Sequence, residues 1–486
     1  MSYLVLNAGG LVLPLEVADA TGGYPGIPAV PAVLLAEHTM YSGQTFDYAG
    51  DGGVQTYRES ADGPYTHYIY PQHPNATNTA NPYGTEDRPR LTFPGFPAGG
   101  GCIAEFHGTF TNQVVYVSYS GTAEKPNFIR GTAASPCNLV WDSTGAPIYC
   151  AALSYCIFEH FNIDLNESEC SAVSFYPHPN SYIAFRNLDI SNFKENAGAS
   201  RSLINIHQND HVGTLSYMLV KNCTIHDNNE LKTGVKVDCT GVFCGCNASH
   251  IWIIDNECYA HGGDFVQIDR PNPQVTDECP NHIYIAGNTV HDMYENFVDI
   301  KTGQDVIISS NTMYDFGSYS PSFGDTKLDS SPLRFGVAYM KPEFVRERIW
   351  VLFNHAYRCQ SGNGTGVFGT WNNPGPGALQ DDAVADETYF IGNLIHDCKS
   401  QSGTNSIAFL SGSQKRVYWY NNTVCGVDTG MVITESPTWE ELLDDKTCVN
   451  NIFADITSTV GTPLWLWLNG TDAQLASWRR ERITGF

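Results

Sequence analysis

The groups in this chain best placed to do chemistry together are carboxylates and amines at alternate positions of short apolar runs. Four segments carry them: SLINIH ending at His207, TGVKVD ending at Asp238, DFVQID ending at Asp269 and NFVDIK ending at Lys301. They align on Leu203/Ile204 to Ile206, Val235 and Val237, Val266 and Ile268, and Val298 and Ile300. With the apolar residues inward, the alternate residues fall into two outward columns. The first is Asn205, Lys236, Gln267, Asp299; the second is His207, Asp238, Asp269, Lys301. Parallel strands lie about 4.8 Å apart and residues two apart on a strand about 6.6 Å, so Asp238 is expected over Asp269 and Asp269 diagonally from Asp299 at roughly 8 Å. Carboxylate pairs at the shorter spacing suit retaining glycoside cleavage and at the longer inverting cleavage. Stacked like charges would also raise one carboxyl pKa, as a general acid requires.

The same patch also suits elimination from a uronic acid, in which a base takes the proton beside a neutralised carboxylate. Lys301, Lys236, Arg270 and Arg334 are available as neutralising cations, while His207 and Gln267 are further candidates for holding substrate. Alternating Lys and Asp equally make an ordinary solvated face with cross-strand ion pairs, Asp269 with Lys301 being the obvious one.

What stacks these strands is a recurring phrase: an alternating apolar run, an Asn, and a turn ending near His-Asp. SYMLVKNCTIHD ending at Asp227, HIWIIDNECYAH ending at His261 and NHIYIAGNTVHD ending at Asp292 are three examples. Anchored on Asn187, Cys223 (in place of Asn), Asn256, Asn288, Asn311, Asn354, Asn393, Asn422 and Asn451, the repeats are spaced roughly 23 to 43 residues apart, within the solenoid range. Period-2 runs closed by a turn-forming Asn, with variable connections and no sustained helical periodicity, predict an all-β fold: a single-stranded right-handed parallel β-helix. The Asn side chains should then bond from rung to rung. His226, His291 and His396 recur at one turn position and so read as scaffold rather than catalytic bases.

The 486 residues are 42% hydrophobic with 45 Gly and 26 Pro, enough for one long core that turns often. A formal net charge of -25 disfavours nucleic acid or an anionic membrane as partner. No run approaches a membrane span, and MSYLVLNAGGLVLPLEVADATGG lacks the basic start and longer apolar core of a secretion signal. The 15 Cys are scattered and read as reduced, buried thiols, with Cys359 and Cys398 stacking near the core. Cys239, Cys244 and Cys246 with His250 form the tightest cluster but lack paired Cys-x-x-Cys spacing for zinc. The seven Asn-x-Ser/Thr triplets follow from turn chemistry.

Organisation is expected in three parts: residues 1–66 as an N-terminal extension, cap or attachment region, 67–468 as the β-helix and 469–486 as a C-terminal tail. Two long insertions, GSYSPSFGDTKLDSSP and QSGNGTGVFGTWNNPGPGALQDD, follow the charged columns and point to a ligand cleft. Their Tyr319, Phe323 and Trp371 are candidates for stacking on sugar rings.

The stretch HYIYPQHPNATNTANPYGTEDRPRLTFPGFPAGGGCIAEFHG, with GTAEKPNFIRG after it, is similar to the opening segment of bacterial and phage right-handed β-helix proteins. The tail TDAQLASWRRERITGF resembles another segment of that group, which is related in fold to pectate lyases. The resemblance implies a polysaccharide or cell-surface glycan as partner and an extracellular or virion-surface setting. It also implies the tailspike or depolymerase type, with a homotrimer and virion attachment through the N-terminal region. Lyases, hydrolases, epimerases and adhesins share the fold, so a non-catalytic virion or surface fibre remains the alternative. YENFVDIK loosely resembles a calcium-binding strand of some pectate lyases, with Asp299 in a ligand position and Glu295 and Asn296 where two Asp would stand.

Overall fold

The structure is a computed structural model that describes residues 3–5, 12–14, 25–48, 53–176, 179–193, 201–207, 213–228, 239–269, 278–317, 331–335, 346–360, 366–370, 387–399, 406–411, 416–435, 446–456 and 464–468. Three long parallel sheets wrap one core, and within each the strands are ordered as in the sequence. Among the described residues the first sheet has 13 strands, from His67–Ile69 to Lys446–Val449; the second has 12, from Thr109–Thr111 to Ile452–Ile456; the third has 12, from Val115–Val117 to Leu464–Leu468. Each coil visits the sheets in that order, giving the expected right-handed parallel β-helix. Alternation drives the packing: Ile251, Ile253, Cys258, Val266 and Ile268 of a single coil are all fully buried.

The turn between the first and second sheets carries the expected Asn ladder. From Asn256 through Asn288, Asn311, Asn354, Asn393 and Asn422 to Asn451, each Nδ2 donates to the next Oδ1 at 2.8–3.1 Å. The same Oδ1 accepts the backbone N–H beside it, as from Asn311 to Asn354 at 3.0 Å. Each Nδ2 also reaches a carbonyl of the preceding coil, as from Asn354 to Ile308 O at 2.9 Å. Every amide group is thereby paired inside a dry turn.

Two expectations about this turn are corrected. Asn187 is not a ladder member: the parallel bonds from Thr224 N to Leu188 O and from Glu257 N to Cys223 O place Leu188 in that column. Asn187 sits one residue earlier, at φ 53°, in line with Asn222, Asp255 and Gly287. The left-handed residue is the one before the ladder position, where Asn is favoured for its backbone tolerance. The His residues of the His-Asp pairs lie on second-sheet strands rather than in turns, and Asp227, Asp292 and Asp397 follow them at φ 52–53°. Outside this sheet His226, Tyr259, His291, Tyr314, Tyr357 and His396 stack face to face, with centroids 4.6–5.3 Å apart.

All 15 cysteines are free, and all are buried except the half-buried Cys425 and Cys448. The backbone N–H of Cys359 donates to Cys398 Sγ at 3.4 Å, and burial pushes the Cys359 thiol well up. Residues 25–48 and 53–66 lie against the outside of the first sheet. The Trp252 indole donates to Pro28 O at 2.9 Å, Arg186 to Leu34 O at 3.4 Å and the Tyr41 hydroxyl to Pro126 O at 2.9 Å. Beneath this strap Glu105, Arg130, Glu159 and Arg186 alternate in charge on successive strands, all buried, with Arg130 to Glu105 at 2.9 Å and Arg186 to Glu159 at 2.5 Å. Among the described residues no helix is long and apolar enough to cross a membrane.

Candidate functional site on the third sheet

The register of the third sheet decides which outward residues meet. Val242 pairs with Val266, Phe243 with Gln267, Gln267 with Asp299 and Asp299 with Arg334. The strand paired with Arg201–Ile206 is Cys239–Cys244, so Asn205 faces Phe243. The first column is therefore Asn205, Phe243, Gln267, Asp299, Arg334, and the second His207, Gly245, Asp269, Lys301. Phe243 and Gly245 hold the places expected for Lys236 and Asp238, which themselves lie outside the described residues.

A steric reason fixes this choice. A Cβ on Gly245 would come within 2.2 Å of His207 Nδ1, so the buried His207 ring lies over a backbone that only glycine provides. His207 also packs edge-on against Phe243, with centroids 5.5 Å apart.

The structure does bring Asp269, Asp299 and Lys301 together. Lys301 Nζ lies 3.3 Å from Asp269 Oδ2 and 3.9 Å from Asp299 Oδ2. A shared ammonium holds the two carboxylate oxygens no more than about 7 Å apart. The carboxylates were expected to repel; the cation between them offsets that repulsion. Asp269 and Lys301 are partly open to solvent, with side chains 18% and 26% exposed, whereas the Asp299 side chain is 7% exposed.

Beside them lies a polar layer that alternation alone did not reveal. Asp264 is 1% exposed, and its two oxygens accept from Gln267 Nε2 at 3.1 Å and Asn296 Nδ2 at 2.6 Å. Asn296 Oδ1 in turn accepts the Ser331 N–H at 3.2 Å. Asp264, Asn296 and Ser331 each stand at the same corner before a third-sheet strand, and the shared offset in GGDFVQ and YENFVD was the available signal. Nearby His261 is fully buried, which lowers its pKa to about 4 and keeps the ring neutral at physiological pH while it bonds Cys239 O at 3.0 Å. The layer fixes the amide of Gln267 and the strand carrying Asp299 in place.

Arg334 stands one coil beyond Asp299 on the same face. Arg270, Trp371, Tyr319 and Phe323 lie outside the described residues. Among the described residues no group of three or more His, Cys, Asp or Glu is arranged to hold a metal ion. Asp299 has the cations Lys301 and Arg334 around it, a setting unlike the carboxylate-rich shell that calcium takes. Cys239 and Cys244 are core residues of one third-sheet strand, while His250 stacks on Tyr217 outside the first sheet.

No protein-family model matches the chain, and no curated protein matches it in sequence. Among solved structures it is similar to PfbA, a surface adhesin of Streptococcus pneumoniae, at 11% identity over 74% of this chain and 85% of that one, with a TM-score of 0.51. It is also similar to the A-module of the Azotobacter vinelandii mannuronan C-5 epimerase AlgE4, at 10% identity over 76% and 90% of the two chains and a TM-score of 0.43. An alginate lyase from Paenibacillus sp. str. FPU-7 matches at 13% identity over 65% and 92%, with a TM-score of 0.44. At such identities the likeness is one of fold, and it agrees with the three parallel sheets in making the chain a right-handed parallel β-helix.

Proposed function

We propose that the outer face of the third sheet binds a polysaccharide and cleaves it at Asp269 and Asp299, with Lys301 as the cation that orients both carboxylates. The observation that carries this is the ammonium of Lys301 bridging the two carboxylates beside the buried Asp264–Gln267–Asn296 layer. With both carboxyls gathered on one cation, one donates a proton to the departing sugar oxygen while the other attacks the anomeric carbon or activates water. Arg334 and Gln267, next to Asp299 in the column, are placed to hold sugar hydroxyls or an acidic substituent.

The test is incubation of the full chain with neutral and acidic polysaccharides. New reducing ends are expected, with Asp269→Asn and Asp299→Asn each lowering the rate by roughly 10²- to 10⁴-fold. Unsaturated ends in place of reducing ends alone would reassign the pair to elimination, with Lys301 and Arg334 neutralising a uronate. Glycan binding without any product would remove the enzymatic role and leave a surface fibre or adhesin-like module.

The tailspike or depolymerase type extends this proposal: an extracellular or virion-surface protein, a parallel homotrimer, and attachment through residues 1–66. Its support is the resemblance of the opening segment, and light scattering tests it. A stable monomer at micromolar concentration would remove the tailspike assignment and leave a monomeric polysaccharide-cleaving protein.

A further inference from the structure

A groove of about 740 Å3 opens on the outer face of the third sheet, with Ser174 and Asn205 on its floor. Four strand steps separate Ser174 from Asp299 in the outward column, a run of about 19 Å. The groove arises from a step in side-chain size. Tyr116 and Tyr149 stack on adjacent coils, with centroids 5.7 Å apart and planes at 22°, and the next residue in the column is serine. The Tyr149 face turned away from Tyr116 therefore looks into open space above Ser174.

Position makes this ring different from those of the second sheet. In the row from His226 to His396 each inner ring is covered on both faces by its neighbours, so only ring edges reach solvent. Tyr149 is the last of its stack and keeps one face open. The walls are the crossings 142–146 and 167–171, which bring Asp142, Glu167 and Glu169 to the rim; no Lys or Arg lines the groove among the described residues.

We propose that this groove is a binding subsite for a neutral sugar of a polysaccharide, its pyranose ring stacked on the open face of Tyr149. The apolar C–H face of a pyranose matches the aromatic face, while Asn205, Ser174 and the rim carboxylates pair with its hydroxyls. A uronic acid is disfavoured because its carboxylate would face three others with no cation among the described residues to pair it. The inference rests on the third sheet being the glycan-binding face and is independent of cleavage at Asp269.

Calorimetric titration of the full chain with cellohexaose, laminarihexaose, maltohexaose and hexaguluronate tests it. At least one neutral hexasaccharide should bind with a Kd below about 1 mM. Tyr149→Ala should weaken that binding about tenfold or more, in line with the loss of one aromatic contact of roughly 1.4 kcal/mol. Ser174→Trp, which fills the floor from an outward strand position, should abolish it, with melting temperature as the check on folding. Failure of all three neutral sugars, binding unchanged in both variants, or hexaguluronate binding that Tyr149→Ala weakens would each overturn the proposal. Asp269→Asn separates the two sites. Product lost while neutral-sugar binding persists supports the groove as a site apart from the chemistry. Variant-insensitive sugar binding with cleavage intact sinks the groove alone.

Discussion

The turn after the first sheet and the outer face of the third sheet are built by the same coils under opposite rules. Along the turn one residue type repeats from Asn256 to Asn451, and each amide satisfies the next. Along the third sheet, from Tyr149 to Arg334, the outward residue changes at every coil: Tyr149, Ser174, Asn205, Phe243, Gln267, Asp299, Arg334. A uniform row leaves nothing over for a ligand. An irregular row sets unlike charges side by side and leaves a hollow wherever a small residue follows a large one.

Substitutions should therefore cost folding in one region and ligand chemistry in the other. The largest stability loss is expected for Asn354→Ala. It removes the acceptor of the Asn311 N–H and Asn311 Nδ2, both buried, and leaves Ile308 O and Asn393 Oδ1 each without the Asn354 Nδ2 donor. A loss on the order of 3 kcal/mol should appear in chemical denaturation, and a loss below about 1 kcal/mol would show the ladder to be ornamental.

A smaller effect is expected at His226, whose pKa is raised to about 9, chiefly by its bond to Asp189 at 3.1 Å, with Asp227 adding to it. Because the folded-state pKa lies above the unfolded value, the stabilisation is fully present below about pH 6.5 and is lost as pH rises through about 9. Both partners are substantially exposed, which screens the pair and keeps its worth under about 1 kcal/mol. Melting temperature followed from about pH 6 to about pH 10 should fall more for the parent than for His226→Gln; parallel curves would remove this role.

The smallest change in stability is expected for Asp269→Asn, whose partly exposed ion pair with Lys301 contributes less than about 1 kcal/mol. A melting-temperature drop as large as that of Asn354→Ala would turn the third-sheet pair into scaffold and erase the contrast.

The fold was legible because amide chemistry repeats: seven ladder Asn residues follow apolar runs of period 2, and no competing pattern offers itself. Asn187 misled because both residues of the turn favour Asn, one for its side chain and its neighbour for a left-handed backbone. Asp269, Asp299 and Lys301 were legible because VQID and VDIK alternate unambiguously. Gly245 stands where Asp238 was expected because TGVKVD and TGVFC both alternate, and a strand read alone does not say which of them pairs with VQID. The buried Asp264 and the Tyr149 groove depend on corners between sheets and on side-chain size in adjacent coils. A single strand read alone carries neither.

The strap over the first sheet bears on the order of assembly. Ladder neighbours lie 23 to 43 residues apart, but the Trp252–Pro28 contact joins residues 224 apart and the Arg186–Leu34 contact residues 152 apart. A clasp that touches several coils has no surface to grip until those coils exist, so it closes late and its loop-closure entropy is met by a surface already formed. The Trp252 indole, seated on Pro28 O, thus ties a finished coil to a segment far along the chain that reaches it only at the last step.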